Sequence, residues 1–367
     1  MRWAALGLVA AAGLSANAAA APPPRWVDAH THLSSRSMER AHRVMDQVGI
    51  DWAVNLSGGW PGGPLEESMD AAKASGRELV CTNLPWAAAR RFPRFPEGAA
   101  KLIREAAGLG ARCLKIEKAL GLVVKKPDGT RVAVDDPWLD PIWETAGAIG
   151  MPVLIHTADP EAFWRPVDEH NERRAELTAH PAWSYVGREV PPFADLLDEL
   201  MRVVARHPDT IFVAVHFGNR AEDPFWVAEQ LERYPNLYVD VAARVPELGR
   251  HDPEKLRQVF LRFQDRILFG TDLGVSGEDF LMLGSFGEEP NRPEELVPFF
   301  DAHHRWFETR DTMPSPTPIQ GEWQIYGIGL PDEVLEKIYV RNAVRLFGPP
   351  PAKATTWRMR PPYFRAE

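Results

Sequence analysis

Cysteine is scarce: the 367 residues hold two, Cys81 and Cys113. No C-x-x-C or other metal-type cysteine spacing is present, so a site built on thiolate ligands is excluded. A bridge between the two is an option in an exported protein, and both fall in stretches that read as neighbouring strands. Cross-strand geometry often strains a disulfide, so the expectation is two buried free thiols. Basic clusters are also missing, and the net charge is −9. That argues against nucleic acid or an anionic membrane surface as the main partner. Past residue 24 no stretch approaches 18 uninterrupted apolar residues, which leaves no later membrane span. No internal repeat or low-complexity linker divides the chain.

What is present begins with an unusual start. Arg2 is followed by WAALGLVAAAGL, an apolar core of signal-peptide length, and then by SANAAAAPPP with A-x-A patterns ending at Ala18 and Ala20. Residues 1–21 read as a secretory signal, with an uncleaved anchor as the alternative. Export to the periplasm or the cell exterior is expected. The whole chain is 45% hydrophobic and 25% charged, the balance of a soluble globular protein. Residues 349–367 are rich in Pro and Arg and read as an extended tail.

Eight short apolar runs recur at 25–33, 51–57, 78–84, 111–117, 151–157, 210–217, 236–242 and 266–272. Longer helical patterns follow them, among them 36–48, 98–108, 138–149, 193–206, 223–233, 253–264 and a closing helix over 332–346. Eight such units over 25–348 predict an α/β fold, a (β/α)8 TIM barrel, with a doubly wound open sheet as runner-up. Links from helix to strand are brief. Links from strand to helix are long after strands 4, 5 and 8 (118–137, 157–190 and 273–330). In a barrel those long insertions lie over the C-terminal face, where active sites are built.

The first strand contains VDAHTHL, with Asp28, His30 and His32 at alternate positions and so on one face. Buried imidazoles need partners, either a metal ion or hydrogen-bonded core groups. The strand ends favour the metal. Strand 5 ends in His156, strand 6 in His216 and strand 8 in Asp272, so four of the 11 histidines and an aspartate close strands at one edge. Imidazole plus carboxylate is a normal ligand set for a divalent ion, Zn²⁺ first, with Mn²⁺, Fe²⁺ or Co²⁺ as options.

This pattern, H-x-H on strand 1, single His on strands 5 and 6 and Asp on strand 8, resembles the amidohydrolase superfamily. With the closing stretch EKIYVRNAVRLFG it is similar to the branch that includes aminocarboxymuconate-semialdehyde decarboxylase. The resemblance implies a single metal held by His30, His32, His156 and Asp272. It also implies His216 as an acid/base group outside the ligand set. Lys115, on strand 4, stands where two-metal members carry a carbamylated bridging lysine. The alternatives are an interaction with Glu117 or contact with a substrate carboxylate. Lys118 and Arg165 are further candidates for substrate contact, and Asp28 reads as a structural hydrogen-bonding group.

The chemistry expected first is a metal-dependent hydrolase. A metal-activated water would cleave an amide, ester or lactone of a small molecule, with Asp272 moving the proton and His216 stabilising developing charge. The alternative is a metal-dependent, non-oxidative decarboxylase of a small carboxylic acid. A binding protein on an inactive barrel is the third reading. No partner beyond a small-molecule substrate is expected, neither nucleic acid nor membrane beyond the export signal; self-association is left open.

Overall fold

The computed structural model describes residues 26–353. The signal-like segment 1–21 and most of the tail lie outside them. Among the described residues no helix is long and apolar enough to cross a membrane.

The architecture is a (β/α)8 barrel. Its strands are β1 (Trp26–Leu33), β2 (Ile50–Asn55), β3 (Glu78–Thr82), β4 (Cys113–Ile116), β5 (Val153–Ile155), β6 (Phe212–Ala214), β7 (Leu237–Asp240), β8 (Ile267–Leu268), β9 (Leu273–Ser276) and β10 (Phe280–Leu283). They form one curled sheet in the order β10-β9-β1-β2-β3-β4-β5-β6-β7-β8, with β1 to β8 pairing in parallel. Closure runs through the eighth strand, which is split. The Ala29 amide donates to the Phe269 carbonyl and the Asp272 amide to the His30 carbonyl, both at 3.0 Å, and β9 then pairs with β1. The break falls at Asp272, whose φ of 63° is incompatible with an extended strand. The β9–β10 hairpin opens the long insertion that follows.

Helices follow β1 to β7 and pack apolar stripes on the sheet. Phe193–Arg206 matches the expected span, and Phe95–Leu109, Asp140–Ala148, Pro224–Arg233 and Pro253–Arg262 lie close to theirs. Two starts show why. Asp223 accepts a hydrogen bond from the Trp226 amide and Asp252 from the Glu254 and Lys255 amides, each just before a proline that suits a first helical turn. The insertion after the eighth strand holds a helix of its own, Leu296–Glu308. His303 and His304 lie in it and are fully buried. His303 Nδ1 donates to the Phe299 carbonyl and His304 packs on Trp26.

The cysteines correct the expectation of free thiols. Cys81 and Cys113 are joined in a disulfide. Parallel pairing of β3 with β4 sets the two residues opposite one another, and their Cα atoms are 4.4 Å apart. Register alone brings them within bridging range.

Candidate active site

The mouth of the barrel is built on strained backbone. Ala158, His216, Phe217, Asn219, Ala243 and Asp272 are the non-glycine residues of positive φ among those described, and all follow the ends of β5 to β8. Left-handed backbone costs about 1–2 kcal/mol per residue, so its concentration here needs compensating contacts. Asp240, at the end of β7, supplies several. Its Oδ1 accepts from the His216 amide at 2.7 Å and the Ala242 amide at 3.1 Å, and its Oδ2 accepts from His30 Nδ1 at 2.8 Å.

Strand alternation places Asp28, His30 and His32 as the sequence implies. Asp28 accepts from the His30 and Thr271 amides, both at 3.1 Å, and from the Thr271 hydroxyl, so it fastens β1 to the segment carrying Asp272. Burial raises its carboxyl to about 7 against those hydrogen bonds. Close approach at this point needs Gly270, where a Cβ would come 2.8 Å from His30 Cβ.

His30, His32 and Asp272 converge. Asp272 Oδ1 lies 3.4 Å from His30 Nε2 and 3.3 Å from His32 Nε2. His30 Nδ1 faces the Asp240 carboxylate and therefore carries the proton, which leaves Nε2 a lone pair. That Nε2 is buried and has no hydrogen-bond partner. His32 is held from behind by Ser57, with Nδ1 to Oγ 2.7 Å. Burial alone would raise the Asp272 carboxyl, but His30, His32 and Lys115 outweigh it and hold the group well below the usual carboxylate range. An orphaned imidazole nitrogen, a second one and an ionised carboxylate aimed at one point fit a divalent cation.

His156 stands apart from that trio. Its ring centroid is 4.4 Å from that of His216, and its Nε2 is buried without a hydrogen-bond partner, 3.7 Å from Asp159 Oδ1. Burial pushes the His156 imidazole down to about 4. His216 donates from Nδ1 to the Ala242 carbonyl at 2.9 Å, so its Nε2 is an acceptor, and burial keeps it neutral, well below 6.5.

Lys115 projects into the barrel, 3% exposed, and its Nζ has no hydrogen-bond partner. Desolvation lowers it against the pull of Asp240, Asp272 and Glu117. Glu117 instead accepts from Asn83 Nδ2 at 2.6 Å and Trp86 Nε1 at 3.0 Å. Lys118 Nζ donates to both oxygens of Asp159, at 2.9 and 2.7 Å, and Tyr185 donates to the same carboxylate at 2.7 Å. Arg165 is placed elsewhere: largely exposed, it pairs with Glu161 at 2.7 Å. Sequence reasoning missed Asp240, Asp159, Asn219 and Arg244. Only Asp240 left a signal, as the acidic end of the seventh strand.

Asp240→Asn is expected to weaken metal binding by about 10- to 100-fold. Both aspartate oxygens accept, so the amide must set its NH₂ against either His30 Nδ1–H or two backbone amides. A chelator-competition titration measures the change; unaltered affinity would detach Asp240 from the donor set.

The donor trio adjoins a cavity of about 120 Å³, lined among others by Lys118, His156, His216, Arg244 and Asp272. Phe163, Trp183, Ser285 and Gln320, from the insertions after β5 and β8, also line it.

A family model described as Amidohydrolase matches residues 27–348. The chain belongs to the amidohydrolase family, whose enzymes use a divalent metal. No match was found among curated proteins. Among solved structures, a dihydroxybenzoic acid decarboxylase from Polaromonas sp. JS666, with bound manganese and 2-nitroresorcinol, is 15% identical. It covers 89% of this chain and 97% of its own, with a TM-score of 0.51. The 5-carboxyvanillate decarboxylase of Sphingomonas paucimobilis is 14% identical, covering 89% and 99%, with a TM-score of 0.49. The 2,6-dihydroxybenzoate decarboxylase from Rhizobium is 16% identical, covering 89% and 99%, with a TM-score of 0.48.

Proposed function

We propose that this amidohydrolase is a metal-dependent, non-oxidative decarboxylase of a small carboxylic acid. The observation that carries the reading is the cavity lining, where Arg244, a cation with no carboxylate partner among the described residues, stands in the same small space as His216 and Asp272. Such a space takes a compact anion. Decarboxylation consumes a carboxylate, whereas hydrolysis of an amide, ester or lactone needs no charge on its substrate.

His30, His32 and Asp272 would hold the ion, with the unpartnered Nε2 of His156 as the further ligand nearby. When bound, the ion supplies positive charge that polarises the substrate oxygen it meets. In the reaction the bond to the carboxyl carbon breaks, CO₂ leaves, and the electron pair stays on carbon, which takes up a proton. Asp272, ionised at neutral pH, is placed to accept a proton from a substrate hydroxyl or solvent and return it to that carbon. His216 Nε2 accepts from a substrate hydroxyl and orients it. Asp240 keeps the His30 imidazole in its working tautomer, and the Ala242 carbonyl does the same for His216.

Of the two reactions expected from the sequence, these observations support the second better than the first. The Polaromonas protein, which shares the fold, guides the first assay: manganese-loaded enzyme with 2,6-dihydroxybenzoate and related carboxylated phenols, in D₂O. The expected result is one CO₂ per substrate consumed and one deuterium on the carbon that lost it. Oxygen from ¹⁸O-labelled water in the product, without CO₂, would establish hydrolysis instead.

A further inference from the structure

One side chain in the cavity wall has no partner in the fold. Gln320 is 2% exposed and lines the same cavity as Asp272. Its Oε1 is buried with no hydrogen-bond partner, and its Nε2 donates to nothing among the described residues. A buried amide that makes no hydrogen bond has given up its water and gained nothing in return.

The backbone holds Gln320 at this place. It ends a short turn, Pro318–Gln320, at the tip of a hairpin formed by β11 (Thr312–Pro314) and β12 (Gln324–Tyr326). The Gln320 backbone amide donates to the Thr317 carbonyl at 2.9 Å, and the Ser315 amide to the Trp323 carbonyl at 3.0 Å. Trp323 Nε1 donates to the Pro246 carbonyl at 2.7 Å, which fastens the hairpin to the segment after β7.

The polar groups beside the turn are joined to one another instead. The turn packs against the helix Arg174–Ala179. Glu176 of that helix accepts from Arg173 Nη1 at 2.8 Å and from the Ser285 hydroxyl, and Arg173 also pairs with Glu247. Arg173, Glu176 and Ser285 line the cavity with Gln320, yet none of them bonds to its amide. The donor trio comes from β1 and the end of β8, whereas Gln320 comes from the insertion that follows. A ligand that meets both spans from the strand ends to the insertion.

We propose that Gln320 selects the substrate by accepting, at Oε1, a hydrogen bond from a neutral donor, a hydroxyl or an amine, on the part that lies against the insertion. The substrate is then a compact acid that carries this donor in addition to the carboxylate it loses. This rests on the decarboxylase reading and deepens it, because it assigns the insertion a part in substrate choice. An acceptor of this kind discriminates against an analogue without the donor, since binding of that analogue seals the oxygen away from water unpaired.

Calorimetric binding to the manganese-loaded protein tests the contact without turnover. Benzoate is compared with 3- and 4-hydroxybenzoate and with 3- and 4-aminobenzoate, so that the hydroxyl and the amine are read separately. Wild type is expected to bind at least one of the four about 5- to 50-fold more tightly than benzoate, the worth of pairing one buried polar atom. Gln320→Met keeps the length of the side chain and removes both polar atoms; it is expected to cut that preference to under about 2-fold at unchanged metal content. Gln320→Ala, which cannot obstruct the cavity, is expected to lose it equally. Without ligand, Gln320→Met is expected to unfold at a denaturant midpoint equal to or above that of wild type, because the amide it replaces forms no bond in the fold. Wild type without a preference for any of the four, or a substituted protein that retains one, overturns the proposal. So does a clearly lowered midpoint in Gln320→Met, which would mean that the amide is bonded within the fold. An intact, Gln320-dependent preference in a protein that takes up ¹⁸O from water and releases no CO₂ would leave the contact standing and sink the decarboxylase reading.

Discussion

Asp272→Ala is expected to lose its metal and its turnover together, whereas His216→Ala is expected to keep the metal and lose turnover alone. The difference follows from geometry. Asp272 Oδ1 sits 3.4 and 3.3 Å from the free nitrogens of His30 and His32, so removing it takes away one of three converging donors and the only charged one. His216 faces the same cavity, but its Nδ1 is committed to the Ala242 carbonyl and its ring is not among the trio. Loss of a positioned proton-transfer group lowers turnover by about 10²- to 10⁴-fold, and Asp272→Ala adds the loss of the ion to that. Elemental analysis of each purified variant beside its rate separates the two cases. Full activity in a metal-free Asp272→Ala protein would remove this site from the chemistry. The pH dependence has a definite sign. Asp272 is held below 3.8 by its neighbours, so the carboxylate is present throughout the neutral range and is lost only as the solution becomes strongly acidic.

The second large effect concerns stability. The bridge between Cys81 and Cys113 spans 32 positions of sequence. Closing a loop of that length restricts the unfolded chain by about 3–4 kcal/mol, and both residues are fully buried, so no competing solvation offsets it. The double variant Cys81→Ala/Cys113→Ala is therefore expected to unfold at clearly lower denaturant than the oxidised parent. Neither cysteine belongs to the donor trio or lines the cavity beside it, so metal content should hardly change. Equal midpoints for the two proteins would mean that the link contributes nothing to the folded state.

These expectations draw unequally on sequence and structure. Alternation in VDAHTHL was enough to set Asp28, His30 and His32 on one face, because the period of a strand is a local property. The recurrence of strand and helix was enough for a barrel, and the barrel collects strand ends at one mouth. His156, His216 and Asp272 were therefore legible as neighbours before any coordinates were known. The family model over 27–348 agrees with the family resemblance of the sequence.

Which groups serve those residues was not legible. Asp240 holds His30 across 210 positions of sequence, and Asn219 holds Arg244 across 25. Asp240 shows in the sequence only as the acidic end of a strand, and nothing in the local pattern around Arg244 marks it as different from the other arginines of the chain. The same holds for His303 and His304, which become core only once the insertion folds back over β1.

What the sequence determined by itself was periodicity, and through periodicity the fold and the strand-end residues that gather at its mouth. What only the tertiary structure decided was partnership: the tautomer of each imidazole, the cysteine bridge and the arginine left without a carboxylate. The physical reason is range. Hydrophobic alternation acts between residues two to four apart, while hydrogen bonds and charges act between whatever atoms barrel closure brings within a few ångströms.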